Sequence, residues 1–505
     1  MIERDLERGS MTLRIRAASP TDADVAIVGA GPAGAAAACH FARAGFRVTL
    51  IDQHRFPRDK ACGDFVGPSG LAELDGLGLS SQGPFRYANR ILRGALYING
   101  DKVIERPFPQ MDGLRGYGLC IPRLLLDDLI VQAAVAYGAR LIEEARVTGY
   151  ETDRAGVTLF HQGGGGRQSL RTRLLIGADG SSSLVSRILR GAPPPRRDRI
   201  VAVRGYFEGV FESPDRADLY FSSSSFPGYS WLFPTGTTSA NVGVGMLLEA
   251  WSPTKQQLAQ LLARLIASDP ALSFRLTKTK MYGKIVGWPL ATFNPQLPII
   301  ANRVALIGDA AGLINPLTGE GIQYALRSAR WSAEALRDPL SIDCLSPAGL
   351  VSYATRVQAE MRYDMALSRL IIDVVRNRGL NPLWLSVLEF IGKRAASDLE
   401  YYDVAAGVFA GVAPAKEVVA LPFLWRTIQS AAVAGYAAAN HALGGQRRYA
   451  TFANDIASMF KHLVGHPVAT LHWGACCASG ALELATQMAI SARQNSVKEN
   501  RGIVT

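Results

Sequence analysis

The sequence has no uninterrupted run of about 18 apolar residues, the length that a membrane-spanning helix requires. Charged residues make up only 19% of the chain, whereas hydrophobic residues make up 48%, and this balance excludes a disordered or fibrous protein. The 54 Lys and Arg exceed the 43 Asp and Glu, which gives a net charge of +11, but the excess is scattered. Scattered basic residues predict a solvated surface and no nucleic-acid partner, while an anionic membrane surface stays open as a partner.

Cysteine is also sparse, with six residues in 505 and no C-x-x-C spacing. No histidine stands at a spacing from these cysteines that suits zinc, so the sequence predicts no metal site. Free thiols indicate a reducing compartment, and residues 1–24 lack the apolar core of a secretory signal. We therefore expect a cytoplasmic protein, either free or peripheral at the inner face of the membrane.

The first clear element is a βαβ unit near the start of the chain. The apolar run Asp24–Gly29 is typical of a buried parallel strand, an alanine-rich helix is predicted over Gly34–Ala44, and Phe46–Ile51 predicts a second strand. Asp52 follows that strand directly. This order of elements is the context in which a glycine-rich turn binds a dinucleotide.

The turn itself reads G-x-G-x-x-G, with Gly29, Gly31 and Gly34. Gly29 permits the tight turn, Gly31 lets a pyrophosphate approach the backbone, and Gly34 lets the helix pack closely on the strand. The N-terminus of the helix offers unpaired N–H groups to the phosphates, and Asp52 can accept hydrogen bonds from ribose hydroxyls. At this point the nucleotide can be either NAD(P) or FAD.

Two later segments repeat the pattern of an apolar strand that ends in glycine and an acid. They are Leu174–Arg187, which contains Asp179, and Val304–Ala325, which contains Asp309. An aspartate at the carboxyl end of a parallel strand lies where such sheets bind ligands, and Asp309 can hold a ribityl hydroxyl. Gly319-Glu320-Gly321 then opens a helix whose N–H groups can face the pyrimidine oxygens of a flavin.

Together these motifs resemble the FAD-dependent oxidoreductases of the p-hydroxybenzoate-hydroxylase fold over about residues 22–345. The resemblance implies that FAD is the cofactor. It assigns the AMP and pyrophosphate half of FAD to Gly29, Gly31, Gly34, Asp52 and Arg123, the last of which stands in IPRLLLDDL. It assigns the ribityl chain and the ring to Asp309, Pro316, Gly319 and Gly321. For Arg123, a surface position near a helix start stays open as the alternative.

Three further matches resemble the geranylgeranyl reductases, which saturate prenyl double bonds. The segment Arg55–Ser69 contains K-x-C-G, the segment Gly228–Pro234 contains Y-x-W-x-F-P, and the late motif is GDAAG with Gly312. The residues concerned are Lys60, Cys62, Gly63, Tyr229, Trp231, Phe233 and Pro234. We expect Cys62, Tyr229 and Trp231 at the catalytic site, with the two aromatics as the wall of an apolar substrate tunnel. The alternative is that Cys62 is a small buried hydrophobe and the aromatics belong to the core.

Two other branches of the same fold compete with this interpretation. Aromatic hydroxylases and epoxidases share the ADG motif but usually carry histidine at the position of Gly312. Flavin halogenases share the RFPR-like segment, but they need a lysine a little downstream and none occurs between Lys60 and Lys102. An O2-dependent flavin monooxygenase that hydroxylates or epoxidises a prenylated or aromatic metabolite is therefore the second candidate, and a halogenase the third. A flavoprotein scaffold or sensor is the non-enzyme alternative.

The predicted fold is α/β: a discontinuous Rossmann-like FAD-binding domain, an inserted antiparallel β-sheet substrate domain and a C-terminal helical extension. The FAD-binding domain is expected over residues 22–80, 110–190 and 288–345, and the substrate domain over 81–109 and 191–287. Residues 346–505 form the extension. It is expected to act as a lid over the substrate tunnel or as a docking face for a membrane.

The expected reaction is reduction of C=C bonds in an apolar, prenylated small molecule by hydride transfer from the flavin. No second G-x-G-x-x-G unit accompanies a strand and an acid, so a dedicated nicotinamide domain is not expected. NAD(P)H is then predicted to dock transiently as the electron donor, and a small electron-transfer protein is the alternative. Candidate proton donors are Cys62, a tyrosine or a water.

Overall fold

In the computed structural model, the described residues are 21–80, 83–249, 255–409 and 457–500, and they contain three β-sheets. The strands are β1 Ala23–Val28, β2 Val48–Ile51, β3 Phe65–Val66, β4 Asn89–Ile91, β5 Arg93–Ile98, β6 Asp101–Pro107, β7 Gly118–Cys120, β8 Arg140–Ile142, β9 Arg146–Thr152, β10 Val157–Gly163, β11 Gly166–Gly177, β12 Arg199–Glu208, β13 Arg216–Phe221, β14 Tyr229–Pro234, β15 Ser239–Leu247, β16 Lys280–Ala291, β17 Ile300–Ala301 and β18 Val304–Leu306.

Helices cover both sheet faces and form most of the described chain after residue 320. They are α1 Pro32–Arg43, α2 Pro68–Gly76, α3 Gly83–Tyr87, α4 Arg123–Ala136, α5 Leu184–Arg190, α6 Lys255–Ser268, α7 Pro270–Arg275, α8 Gly308–Ala311, α9 Ile322–Ser341, α10 Pro347–Val375, α11 Asn381–Ser397, α12 Leu399–Phe409, α13 over 457–465 and α14 Pro467–Asn500. The predicted α/β fold is confirmed.

The first sheet has eight strands and carries the cofactor motifs. Its main order is β17-β18-β11-β1-β2-β8, with β9 and β10 attached to one side of β11. The pairs β18–β11, β11–β1, β1–β2 and β2–β8 are parallel, and Val28, Gly177 and Leu306 lie in register at their carboxyl ends. Because parallel strands that are buried on both faces need apolar residues throughout, these short runs read as continuous hydrophobic stretches.

Helix α1 packs against this sheet between α4 and α9. It can approach closely because its buried positions are mostly alanine, from Ala35 to Ala38. At its start, a Cβ on Gly34 would lie 1.8 Å from the carbonyl oxygen of Gly29, so only glycine allows this contact between helix and turn. The small residues therefore fix the first turn of α1 over the carboxyl edge of the sheet.

The second sheet has seven strands in the order β16-β12-β15-β14-β13-β5-β6. On one face, Val242, Val244 and Met246 of β15 pack on a core that includes Leu258 and Leu262 of α6. One pair departs from the predicted antiparallel pattern, because β5 and β13 run parallel. Since β5 comes from a chain segment far before β13, no hairpin constrains its direction.

Residues 55–80 are rich in Gly and Pro, a composition that predicts an irregular segment, but they contain β3 and α2, so this prediction is wrong. Helix α2 begins at Pro68, whose ring suits the first turn, and it buries Leu71 and Leu74. Strand β3 joins β7 and β4 in a small three-stranded sheet. The Pro and Gly residues of this segment mark the ends of short elements, and a glycine-rich composition concealed them.

The C-terminal extension is helical over its described residues. Helix α10 is tied to the first sheet by the Tyr353 hydroxyl, which donates to the carbonyl of Leu306 at 2.8 Å, and α14 is tied to α10 by Trp473, whose Nε1 donates to the Asp373 carbonyl at 3.0 Å. The sequence also has two apolar segments in this extension, over residues 408–425 and 430–442. Apart from residues 408 and 409, they lie outside the described residues. Within the described parts of the chain, no helix has both the length and the apolar character to cross a membrane.

Candidate functional site

The three glycine–acid turns meet at the carboxyl edge of the parallel sheet. The Ala178 N–H donates to the carbonyl of Val28 at 2.8 Å, and the Ile307 N–H donates to that of Gly177 at 2.9 Å. Gly29 has a φ of +96°, and a Cβ there would lie 2.4 Å from the Ala178 carbonyl oxygen. The sequence prediction that these motifs converge on one site is therefore confirmed.

Two guanidinium groups flank the glycine turn where a pyrophosphate would approach. A Cβ built on Gly31 would be 3.7 Å from one terminal nitrogen of Arg123 and 3.8 Å from one of Arg58. Asp127 holds both, accepting from Arg58 at 2.8 Å and from Arg123 at 2.6 and 2.7 Å. Arg123 is 5% exposed, so the alternative of a surface arginine is wrong. Burial opposes its charge, but Asp127 raises the pKa of Arg123 far above its usual value.

Asp52 lies at the end of β2 and faces the glycine turn. Its Oδ2 accepts the Ala30 N–H at 2.8 Å, and its Oδ1 accepts the His54 N–H at 2.9 Å. The carboxylate is 7% exposed, so it is already oriented before any ligand binds. Oδ1 also lies 3.2 Å from Nδ1 of His54, while Oδ2 keeps a second lone pair, which suits the predicted contact with a ribose hydroxyl.

Asp179 is placed differently from the prediction. Its Oδ1 accepts the Ser183 hydroxyl at 2.5 Å, and its Oδ2 accepts the Leu184 N–H at 2.7 Å. The cavity wall includes its neighbours Ala178 and Gly180 but not Asp179. We therefore correct its role from a cofactor ligand to the acid that caps the start of α5 and shapes the turn around Gly180.

The late motif forms the opposite wall of the same site. Asp309, Pro316, Gly319 and Gly321 all line the cavity. Asp309 Oδ2 accepts the Ser181 hydroxyl at 3.1 Å, which joins the second and third turns. Gly321 stands before α9, and no side chain caps that helix. Its first N–H groups are therefore available to an anionic or carbonyl-bearing group, as predicted for a flavin ring.

Residues that pair across neighbouring strands of the second sheet form one wall of the cavity. Tyr229 of β14 pairs with Gly245 of β15, Trp231 pairs with Gly243, and Phe233 pairs with Asn241. A Cβ on Gly243 would lie 2.2 Å from the indole of Trp231, so glycine makes room for it. The three aromatic rings follow each other at centroid distances of 6.3 and 6.2 Å and form a continuous apolar wall.

The K-x-C-G segment packs on this aromatic wall. A Cβ on Gly63 would lie 3.2 Å from the ring of Phe233 and 3.5 Å from Nε1 of Trp231. Asn241 fixes the turn, because its Nδ2 donates to the Cys62 carbonyl at 2.7 Å while its Oδ1 accepts Trp231 Nε1 at 2.9 Å. The two reductase-like motifs are therefore a single structural unit.

Cys62 and Tyr229 each bring an ionisable group, a thiol and a hydroxyl, to the cavity wall. Burial raises the pKa of the Cys62 thiol, Arg123 opposes that rise, and the group stays a neutral thiol at neutral pH. The Tyr229 hydroxyl donates to the Thr318 carbonyl, beside Gly319. Cys62, Tyr229 and Trp231 all line the same cavity, and their catalytic roles stay predictions.

A single cavity of about 440 Å³ joins these surfaces. It extends from Gly31 and Asp309, past the aromatic wall, to α11 and α12 of the C-terminal extension. The helices contribute Leu388, Ile391, Gly392, Ala395, Tyr402, Ala405 and Ala406. The extension therefore covers the cavity over the described residues, as the interpretation of a tunnel lid requires.

Sequence reasoning missed several polar residues at or beside the cavity. Asp64 and Glu320 line it, Asn241 donates to Asp64, and Arg58 lies beside the glycine turn, but none of the four was singled out. Burial without a nearby cation raises the pKa of Glu320 to about 8, and its Oε2 accepts from Gln323 at 2.8 Å. The available signals were the second arginine of RFPR, the acid after K-x-C-G and the alternation Asn241-x-Gly243-x-Gly245 in β15.

The residues present fit FAD. Arg58 and Arg123 would face its pyrophosphate, Asp52 its adenosine ribose, Asp309 its ribityl chain, and the uncapped start of α9 its ring. Each of these groups lies at the cavity or beside the glycine turn, and the two guanidinium groups already lie where the negative charge would come.

Comparison with known proteins agrees with this geometry. The family described as FAD binding domain matches residues 22–341. A menaquinone reductase of Mycobacterium tuberculosis is 36% identical over 335 residues, which cover 62% of this chain and 76% of that protein. Digeranylgeranylglycerophospholipid reductase 2 of Methanopyrus kandleri is 28% identical over 377 residues, covering 71% of this chain and 89% of that one.

Among solved structures, a geranylgeranyl bacteriochlorophyll reductase-like protein of Thermoplasma acidophilum superposes with a TM-score of 0.62. It is 22% identical and covers 78% of this chain and 98% of its own, which shows a shared fold. The chain belongs to the family described as FAD binding domain and is an FAD-dependent oxidoreductase.

Proposed function

We propose that this enzyme reduces isolated C=C bonds in the polyprenyl chain of an apolar small molecule. The observation that carries the proposal is the continuous cavity, in which the Cys62 turn and the aromatic wall lie between the FAD-binding edge and the C-terminal helices. Its length favours a substrate that is extended and apolar. The names of the relatives support the same class, since menaquinone and digeranylgeranylglycerophospholipid both carry polyprenyl chains.

When bound and reduced, FAD supplies a hydride to one carbon of the double bond. The chain's own residues orient the alkene and exclude water. Tyr229, Trp231 and Phe233 present flat apolar faces along which a prenyl chain can lie. The Cys62 thiol, which burial keeps protonated, supplies the proton that the second carbon needs. One hydride and one proton then balance the conversion of C=C to CH–CH.

We also propose that NAD(P)H is the electron donor and that it leaves after each reduction cycle. Support comes from the sequence, which carries one dinucleotide turn of the required context, at Gly29–Gly34. A donor without its own domain must reach the cofactor from the open side of the cavity and cannot remain bound while the substrate reacts.

The proposal is tested by anaerobic turnover. The FAD-loaded protein is reduced chemically in the absence of oxygen, mixed with a prenylated quinone or a geranylgeranyl lipid, and the product mass is measured. We expect a gain of two hydrogens per reduced double bond. If product forms only in oxygen and gains one oxygen atom, the enzyme is the competing monooxygenase and the proposal fails.

A further inference from the structure

A buried carboxyl lies directly behind the Cys62 turn. Asp64 is 0% exposed and lines the cavity, and its backbone N–H donates to the Sγ of Cys62 at 3.4 Å. Its φ of +64° lies in the left-handed region, which an aspartate adopts only when the surrounding structure holds it there. The Ile121 N–H provides part of that hold by donating to the Asp64 carbonyl at 2.9 Å.

Two side chains from adjacent strands converge on this carboxyl. Tyr206 of β12 stands opposite Asn241 of β15 in the ladder, so both point to the same face. The Tyr206 hydroxyl donates to Asp64 Oδ2 at 2.6 Å, and Asn241 Nδ2 donates to the same oxygen at 2.8 Å.

Among the described residues, nothing donates to the other carboxyl oxygen. Asp64 Oδ1 is buried, and a buried charged oxygen would need a hydrogen bond. A carboxyl in which one oxygen accepts hydrogen bonds and the other accepts none is suited to carry a proton on the second oxygen. Tyr206 is half-buried, and its ring stacks on that of the exposed Tyr282 at a centroid distance of 5.5 Å, so the residue lies between Asp64 and the protein surface.

Resting on the proposed function, we propose that Asp64 and Tyr206 form a proton relay that recharges Cys62 after each reduction. When the Cys62 S–H bond breaks and the new C–H bond forms on the substrate, a thiolate remains. The Asp64 carboxyl gives its proton to that thiolate. The Tyr206 hydroxyl then passes its proton to the carboxylate in the same step in which it takes one from solvent, because burial and the Asp64 charge raise the pKa of Tyr206 far above its usual value and disfavour a free tyrosinate. Every group returns to its starting state, and no electrons move along the relay.

The groups around Asp64 determine the pH range in which its carboxyl is protonated. Burial raises the pKa of Asp64 to about 6, and the hydrogen bonds from Tyr206 and Asn241 oppose the rise. The titratable or charged groups that face it are Arg204 and Tyr206 on β12, Tyr282 on β16, Arg123 on α4, Cys120 on β7 and Cys62 on its own loop. Asp64 is protonated below this pKa, so it can donate a proton at low pH and loses that ability as the pH rises.

The first test is the pH profile of anaerobic turnover with saturating substrate. Wild-type kcat is expected to fall as the pH rises through the pKa of Asp64. In Asp64→Asn, kcat is expected to be about 10²-fold lower with little change in KM, and the fall is expected to disappear. Tyr206→Phe should lower kcat while keeping an inflection, whereas Tyr282→Phe, which keeps its ring against Tyr206, should match the wild type.

The second test needs neither FAD nor substrate. Alkylation of Cys62 by iodoacetamide is followed against pH by peptide mass spectrometry in the cofactor-free protein. Because the Asp64 charge raises the pKa of the Cys62 thiol, Asp64→Asn is expected to speed alkylation severalfold near pH 8. If wild type and Asp64→Asn are alkylated alike, or if Asp64→Asn keeps the wild-type pH profile, the relay is wrong.

The two tests separate the relay from the proposed function. Failure of the wild type to reduce any C=C bond overturns the function, while the alkylation result still decides whether Asp64 and Cys62 are coupled. If Asp64→Asn does not fold, Tyr206→Phe provides both measurements, because it removes only one hydroxyl. An unchanged kcat in Tyr206→Phe at every pH would overturn the relay, and recovery of FAD by both variants excludes a purely structural loss.

Discussion

At the scale of single residues, Asp127 compensates the positive charges of the two arginines that would face the pyrophosphate of FAD. It is 0% exposed and is bonded to both Arg58 and Arg123. Asp127→Asn leaves two guanidinium groups with much less compensation, so we expect the FAD-free protein to lose about 3 kcal/mol of its free energy of unfolding. The pyrophosphate of FAD brings new negative charge to the same groups, so added FAD should recover part of that loss. Urea denaturation with and without FAD measures both effects.

The matched control is Asp128→Asn, one residue further along α4. Asp128 is half-buried and accepts a long hydrogen bond from Gln132, at 3.5 Å, so its replacement should change the free energy of unfolding by less than about 0.5 kcal/mol. Equal effects of the two substitutions, or a loss that FAD leaves untouched, would contradict the role assigned to Asp127.

Residue identities could be predicted where one glycine or acid has a local reason. Gly29, Gly34 and Asp52 follow from the turn that they build, and Asp309 lies where the strand ends. Asp179 could not be distinguished from Asp309 by sequence, since a strand-end acid can face a ligand or cap the next helix. Its neighbours Ser183 and Leu184 decide the matter in space.

At the scale of elements, helices α11 and α12 determine the length of the cavity. Ala406 on α12 lines it with a small side chain, so Ala406→Trp should block its far part. We expect turnover of a long polyprenyl substrate to fall at least tenfold, while a short prenyl substrate is reduced at nearly the wild-type rate. Ser386→Trp, on the exposed side of α11, is the control and should leave both substrates unaffected. Equal loss with short and long substrates would contradict the assignment.

Elements with a strong local signal were predicted well, and those that depend on partners were not. The βαβ unit follows from its apolar runs and matches the structure within a few residues. Helix α2 was missed because Gly and Pro dominate its surroundings. The rows that join Tyr229 with Gly245 and Phe233 with Asn241 depend on strand register, which a single sequence does not reveal.

At the scale of the whole molecule, the two large sheets share one site because the inserted strands return to the carboxyl edge of the first sheet. The hydrogen bond from Tyr229 to the Thr318 carbonyl and the packing of Gly63 on Phe233 join the two parts at the cavity. The sequence indicated this arrangement through the recurrence of cofactor motifs on both sides of the insertion. It indicated a lid over the tunnel as one of two alternatives for the extension, but it did not indicate that α11 and α12 are helices that line the cavity, since that contact joins segments far apart in the chain.

At the same scale, the chain combines a positive net charge with exposed apolar side chains, and from these two features we predict peripheral binding to membranes. Its net charge is +11, and Phe460, Val464, Val468 and Leu471 on α13 and α14 are 61–80% exposed. A polyprenyl substrate resides in lipid, so we expect the protein to sediment with vesicles that contain anionic lipid and to leave them as salt rises.

Substituting Asp for both Val468 and Leu471 should weaken vesicle binding by more than tenfold, because charged side chains resist entry into the membrane interface. The pair Ser397→Asp and Ser386→Asp adds the same charge on an exposed face of α11 and should reduce binding far less. Equal reduction by both pairs would show that charge alone drives the association, and no binding to any vesicle would contradict it altogether.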